Sequence, residues 1–351
     1  MTKRTMSSVQ LSARAVLALG VCLACSQTPP PEAPAAPAPA PAPEAPPPAA
    51  VDTTAKAAPA AIVIKDIGLA TPESIQHEPQ SDTYLVSNIN GDPLAKDDNG
   101  FIAKLSPDGT VIALKWIDGA SPDVELNAPK GLGFSAGKLF VADIDVIRTF
   151  DLATGKPLAQ IKVPGAAFLN DVAVAPDGTV YVSDTGLKAG KDGLEPNKKD
   201  AIYKVSTDGK LSTLIKGESL GLPNGLFAAA SGLSVATWQG KLYKVSYDGK
   251  QEETSTAPGA QLDGLLHTAD GQVLLSSWEK STVYLGTADG QFSPLMADLK
   301  SPADLGYDNV RGQVLVPLFQ DNAIEIQKLP QVSATAKVQA PASTTAEAEK
   351  K

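Results

Sequence analysis

Five oxygen-bearing side chains, Glu73, Asn170, Asn224, Asp263 and Asp304, each open a short apolar run of period two, and Lys130 opens a sixth. Successive openers stand 57, 40, 54, 39 and 41 residues apart. If a fold gathers such oxygens into one narrow volume, carboxylates without partners are costly unless they are protonated or hold a cation. A hard divalent cation resolves that cost. Two or three carboxylates with amide oxygens and water suit Ca²⁺ best, with Mg²⁺, Mn²⁺ and Zn²⁺ as alternatives. The chain has only two histidines, His77 and His267, and no cysteine after Cys25, which argues against a soft-ligand site. A competing reading is that the Asn and Asp side chains only cap turns.

The openers need elements that converge, and the spacing supplies them. Asn170 to Gly178, Asn224 to Gly232, Asp263 to Gly271 and Asp304 to Gly312 each run eight residues from opener to a Gly-containing turn. A second strand follows each turn, as in Lys138 to Asp143 and Thr83 to Asn88. Third and fourth strands recur around Asp-Gly pairs at 208–209 and 248–249, where Gly supplies the positive φ of a hairpin turn. Repeats of about 40 residues built from four strands are propeller blades. Six such units predict an all-β, six-bladed β-propeller of four-stranded antiparallel blades over residues 61–330. The apolar run from Ala61 to Ile67 and the last run from Ala323 to Leu329 then complete one sheet, closing the ring and removing exposed edges. In this topology all six openers ring one mouth of the central channel. Two long loops, 88–101 and 186–201, fall on the same face and are placed to form a lid.

Four segments in this order resemble the senescence marker protein/gluconolactonase-like (regucalcin-type) family: Pro72-Glu73, Leu169-Asn170-Asp171, Leu222-Pro223-Asn224-Gly225 and Leu262-Asp263-Gly264. The resemblance covers roughly residues 60–330. It implies a divalent metal held by Glu73, Asn224 and Asp263, with Asn170 near the substrate and Asp263 as general base in the hydrolysis of a lactone or ester. Asp304, as the sixth opener, is a second candidate for substrate binding. The chain departs from the family pattern at Glu73-Ser74-Ile75, where Glu-Gly-Pro is usual, and at Phe168-Leu169, where an arginine often precedes the asparagine. The absent arginine leaves no evident charge for a sugar acid, which turns the expected substrate away from aldonolactones. The other function class is a non-catalytic, metal-binding propeller of NHL-like type that holds a small ligand or protein at its mouth.

Other features read as structural. Gly133 to Gly137 matches a nucleophile-elbow pattern but falls in a strand-to-strand hairpin with no histidine partner nearby. His77 and His267 lie by the inner strands and are expected to pack. Trp238 and Trp278 end second strands at the mouth, where they either stack on a ligand or pack blade to blade. Lys188, Lys191, Lys198 and Lys199 are expected to decorate a solvated loop, with steering of an anionic ligand as the competing reading.

The ends of the chain differ in composition from the repeat. Lys3, Arg4 and Arg14 precede or open an apolar stretch of ten residues, 15–24, that is too short for a permanent membrane helix and reads as an export signal. Leu23-Ala24-Cys25-Ser26 resembles a bacterial lipoprotein cleavage site, which makes Cys25 the lipidated residue and residues 1–24 the signal peptide. Ser26 after the cysteine resembles the outer-membrane sorting pattern. Residues 29–50 hold 11 Pro, 9 Ala and 2 Glu, a composition with nothing to bury. Residues 25–60 are thus expected to be a disordered, semi-rigid tether, and 331–351 a disordered tail. A net charge of −9 with dispersed lysines argues against nucleic acid as a partner. The expected setting is the bacterial outer membrane, with the protein attached through its lipid alone. Expressed in a Gram-negative host, the protein should partition with detergent-soluble membranes, and Cys25→Ser should abolish acylation; wholly soluble wild type without an acyl mass would refute the anchor.

Overall fold

The computed structural model describes residues 61–191, 193–287 and 290–330, so the signal, tether and tail assigned to residues 1–24, 25–60 and 331–351 lie outside the described residues. The sheets form a six-bladed β-propeller, and no α-helix occurs among the described residues. Blade one comprises Pro72–Glu78, Thr83–Asn88, Phe101–Leu105 and Val111–Asp118. The innermost strands of blades two to five are Pro129–Ser135, Leu169–Val174, Pro223–Ala229 and Leu262–His267. Blade six begins with the short strand Gly306–Asp308 and ends on a strand from the start of the domain. There Ile62–Ile64 pairs antiparallel with Ala323–Lys328, the closure expected from the two apolar runs. Every blade is then a complete four-stranded sheet.

Alternating side chains of neighbouring blades share their cores. Tyr84 and Phe101 of blade one pack with Leu315 and Ile324 of blade six, and Leu226 and Tyr243 of blade four pack with Tyr181 and Ile202 of blade three. Tyr84 also donates a 2.7 Å hydrogen bond to Asp308 across the first of these clefts. The Asp-Gly turns behave as their chemistry requires. Ser206 and Ser246 hydroxyls donate to Asp208 and Asp248, and Gly209 and Gly249 take φ of 84° and 88°. The Gly133 to Gly137 segment is a hairpin in which Ser135 donates to the Gly178 carbonyl at 2.9 Å, so it builds no nucleophile elbow. His77 hydrogen-bonds Asp82 at 2.9 Å and meets Tyr84 edge-on, while His267 stacks on Phe227.

The element that positions the site is a bulge near the start of each inner strand. In blades one to five the register jumps over two residues, between Pro72 and Ile75, Pro129 and Leu132, Leu169 and Val172, Pro223 and Leu226, and Leu262 and Leu265. The first bulge residue is the opener: Glu73, Lys130, Asn170, Asn224 or Asp263. The second is Ser74, Gly131, Asp171, Gly225 or Gly264. Two bulge residues facing one partner residue point to different sides, which aims the openers at one mouth and their successors along the channel. In blade six, Pro302 bridges Leu318 and Gly306 pairs with Leu315, which puts Ala303 in the opener position and Asp304 in the second. The hydrogen bonds agree, since Ser183 holds the Asn224 carbonyl and Ser276 holds that of Ala303, at 2.8 and 2.9 Å.

Glycine fills the second position where blades meet most closely. A Cβ on Gly225 would stand 2.1 Å from the Asp263 carbonyl oxygen, and one on Gly264 would stand 2.3 Å from the Leu305 nitrogen. Both contacts are to neighbouring backbone and cannot be relieved by a rotamer change. Gly225→Ala should therefore cost about 1–3 kcal/mol of stability, the usual range for overpacking, read as a lower denaturation midpoint. A midpoint equal to wild type would show that the inner strands are not held this close.

Candidate functional site

Three openers are delivered by loops pinned to a polar residue at the end of the second strand of their blade, and the loop ahead of Asn224 is held instead by Asp200, which accepts from the Leu222 amide at 2.6 Å. Asp143 accepts from the Ala128 amide at 2.8 Å, ahead of Lys130, and Asp184 accepts from the Phe168 amide at 3.0 Å, ahead of Asn170. Asn88 does the same for blade one, accepting from Ala70 at 2.9 Å. These short polar residues end the second strands and leave the opener side chains at a fixed exit.

The openers border a cavity of about 380 Å³ at the channel mouth. Glu73, Asn170, Asn224 and Asp263 are all buried there. One oxygen of each has no hydrogen-bond partner: Glu73 Oε2, Asn170 Oδ1, Asn224 Oδ1 and Asp263 Oδ1. Asn170 spends its amide nitrogen on Thr185 Oγ1 at 2.9 Å, which leaves its carbonyl oxygen for the cavity. Buried acceptors left unpaired each carry a desolvation cost of about 1–3 kcal/mol or more. Four at one cavity fit a hard cation better than they fit turn caps, which would have found backbone N–H donors. Among the described residues no three His, Cys, Asp or Glu side chains form a metal-holding group; the set pairs two carboxylates with two amides, the donor mix of a Ca²⁺ site with water completing it.

Electrostatics point the same way. Burial, then the charge of Asp171, pushes Asp263 up to about 8. Burial, then the charges of Asp263 and Asp304, holds Glu73 well above the usual carboxylate range, with Lys130 pulling it partly back.

Lys130, the opener whose sign set it apart in the sequence, lies inside the same cavity. It is 1% exposed, with its ammonium donating to the Ala128 carbonyl at 3.0 Å and the Pro93 carbonyl at 3.2 Å and lying 4.6 Å from the centre of the Phe168 ring. The alignment of openers already contained this residue; reading the ring only for oxygens passed it over. The expectation that Phe168-Leu169 leaves the site without a positive group is thereby corrected, because the charge comes from the adjacent blade.

Asp304 is the second correction. It does not border the mouth cavity but a separate one of about 380 Å³ at the opposite end of the inner strands, together with Asp171. Its carboxylate accepts from Ser74 Oγ at 2.5 Å and Gln76 Nε2 at 3.4 Å. Five openers thus ring the mouth, and the sixth place is taken by Ala303. The physical reason is the bulge: a shift of one residue sends a side chain to the other side, and counting back from Gly312 misses that shift.

The upper walls come from the two long loops and from aromatic residues. Ile89 and Pro93 of the first loop and Leu187 and Leu194 of the second border the cavity. In the second loop Leu187–Gly190 and Gly193–Pro196 pair as an extra hairpin. Trp238 and Trp278 meet edge to face at 5.4 Å, and Trp278 reaches Phe319 at 5.0 Å, so these rings both pack together and line the cavity.

A fold of this kind with an oxygen set at one mouth is matched by sequence. The sequence profile of the SMP-30/Gluconolactonase/LRE-like region matches residues 102–302. The chain belongs to this SMP-30/gluconolactonase/LRE-like family. Among solved structures, a gluconolactonase from Xanthomonas campestris shares 20% identity, with a TM-score of 0.60, over 77% of this chain and 89% of its own. A calcium-binding regucalcin from Agrobacterium tumefaciens shares 19% identity at a TM-score of 0.54, over 76% of this chain and 93% of its own. At these identities the likeness is one of fold. A search of curated proteins finds no match.

The raised carboxyls give a signed pH dependence. A carboxyl with a folded-state pKa above its unfolded value adds stability at low pH that is lost as pH rises through the folded value. Cation-free protein should accordingly lose stability as pH climbs from the usual carboxylate range through about 8, the value for Asp263. Ionised carboxylates hold Ca²⁺ more tightly than protonated ones, so the melting-temperature gain on adding Ca²⁺ should be larger at about pH 9 than at about pH 5.5. Glu73→Ala with Asp263→Ala should abolish the gain. An equal gain at both pH values would show that these carboxyls do not hold the ion.

Proposed function

We propose that this propeller is a divalent-metal-dependent hydrolase of a small lactone or ester, working at the mouth formed by Glu73, Asn170, Asn224 and Asp263. The observation that carries the reading is the group of four buried, unpartnered oxygens bordering one cavity large enough for a small molecule. Membership of the family supports it, as does the gluconolactonase among proteins of like fold. Glu73, Asn224 and Asp263 would hold the ion, Ca²⁺ first among the candidates given the all-oxygen set. When bound, such an ion supplies electrophilic polarisation of a carbonyl group.

The protein's own residues supply the rest. Asp263, once ionised, is positioned in the cavity to accept the proton of an attacking water as general base. Asn170, fixed by Thr185, presents a carbonyl oxygen that orients a hydroxyl or water beside it. Trp238, Trp278 and Phe319 exclude bulk water from one wall and offer an apolar face to the substrate. The setting we propose with this activity is extracytoplasmic, the domain being tethered to the outer membrane through lipid on Cys25.

Asp263→Asn separates the base from the ligand. It keeps an oxygen while removing the proton acceptor, so turnover of an active lactone or aryl ester should fall by roughly 10²–10⁴-fold while Ca²⁺ binding, read by calorimetry, persists. A wide panel of lactones and esters giving no metal-dependent turnover by wild type would overturn the hydrolase and leave a ligand-binding propeller.

A further inference from the structure

Lys130 is not explained by metal binding. A lysine buried to 1% exposure loses much hydration, and burial shifts it toward its neutral form. Against that cost the chain offers two backbone carbonyls, the face of Phe168 and the charges of Glu73, Asp143 and Asp92 at longer range. Among the described residues no carboxylate comes within ion-pair distance of it, and its third N–H has no acceptor. A side chain needed only for packing at this position would not carry an ammonium, and the openers of the two adjacent blades are Glu73 and Asn170.

A second donor borders the same cavity. The indole N–H of Trp278 is buried and makes no well-aligned hydrogen bond, although it lies close enough to the Asp263 carboxyl to favour its ionised form, on the wall that also holds Trp238 and Phe319. The cavity therefore pairs unused oxygens on its floor with an ammonium that keeps a donor to spare. The oxygens suit a cation, and the Lys130 ammonium, which they leave outside ion-pair distance, suits an acceptor on a ligand. Charge balance indicates what kind. The charged residues bordering the cavity are Glu73, Asp263 and Lys130, a formal sum of −1, which a divalent cation changes to +1. A monoanion is then the complementary ligand, and the remaining wall, with Phe168, Leu187, Trp238, Trp278 and Phe319, is apolar and largely aromatic.

We propose that Lys130 anchors a carboxylate on the substrate, and that the site takes a lactone or ester with an apolar or aromatic body bearing that anionic group. This rests on the reading of the mouth as the hydrolytic pocket, and it assigns the substrate class and the residue that selects it. Lys130 is a binding residue here; no proton moves through it.

The test uses non-hydrolysable probes, 3-phenylpropionate and its neutral counterpart 3-phenylpropionamide, titrated into the full Ca²⁺-loaded protein by calorimetry, with the change in tryptophan fluorescence, to which Trp238 and Trp278 at the cavity contribute, as a second readout. Wild type should bind the carboxylate at least tenfold more tightly than the amide, with the preference weakened by salt. Lys130→Met should remove the preference and leave amide binding within about twofold, whereas Lys130→Arg should keep it, which separates loss of charge from loss of fold. Equal binding of the two probes by wild type overturns the proposal, as does a folded Lys130→Met protein that still prefers the carboxylate. The hydrolase reading fails or stands independently: carboxylate preference without turnover of any ester leaves the anchor intact, and turnover of neutral lactones without carboxylate preference removes the anchor and keeps the enzyme.

Discussion

Six inner strands converge on one axis, and the spacing between their backbones governs what each may carry there. At the second bulge position a Cβ on Gly225 or Gly264 would enter the backbone of the next blade. Ser74, Asp171 and Asp304 fill the other second positions, apart from Gly131, and their polar groups are spent inside the protein: Asp171 accepts from the Val172 and Leu226 amides at 2.6 Å each, and Asp304 from Ser74 and Gln76. The first bulge position faces outward to the mouth and is where unspent groups accumulate. The same crowding that fixes the fold thus presents the openers together, without any contact among them being needed to hold them in place.

That arrangement trades stability for a poised site. Buried oxygens without donors, and carboxyls pushed upward by burial and by each other, disfavour the ligand-free state at neutral pH. The cost is tolerated because the cores lie elsewhere, in the six clefts between blades, and because the closing strand Ile62–Ile64 joins the first and last segments of the ring. Lys130 partly balances the floor from the blade-two position while retaining a donor of its own. A cavity with two kinds of unmet demand, for a cation on one side and for an anion on another, is better matched to a metal and a charged substrate together than to either alone.

The blades, their order and the closure could be read from the chain because each is a local pattern: a period-two apolar run, an Asp-Gly turn and a repeat length near 40 residues. The identity of four mouth residues was equally legible, since Asn170, Asn224 and Asp263 share one spacing to the following Gly turn and Glu73 is followed by the same second-strand pattern. Asp304 was misplaced for a reason that spacing cannot reveal. The inner strand of blade six starts its regular pairing only at Gly306, so the count back from Gly312 lands on the second bulge residue rather than on Ala303. Lys130 was visible as an opener, but the consequence of its charge was not, because its contacts with Phe168 and Pro93 join residues 38 and 37 positions away along the chain.

The sequence by itself determined the architecture and the chemical type of most mouth residues, because strand period, turn chemistry and repeat length act within a few residues of one another. Tertiary structure alone decided which side of the channel each polar group faces, which of them remain without partners, and that an ammonium and an indole N–H share the cavity with the oxygens. Those properties depend on bulge register and on the approach of neighbouring blades, and at this crowded axis one residue of register separates a group facing the mouth from one sealed in the channel.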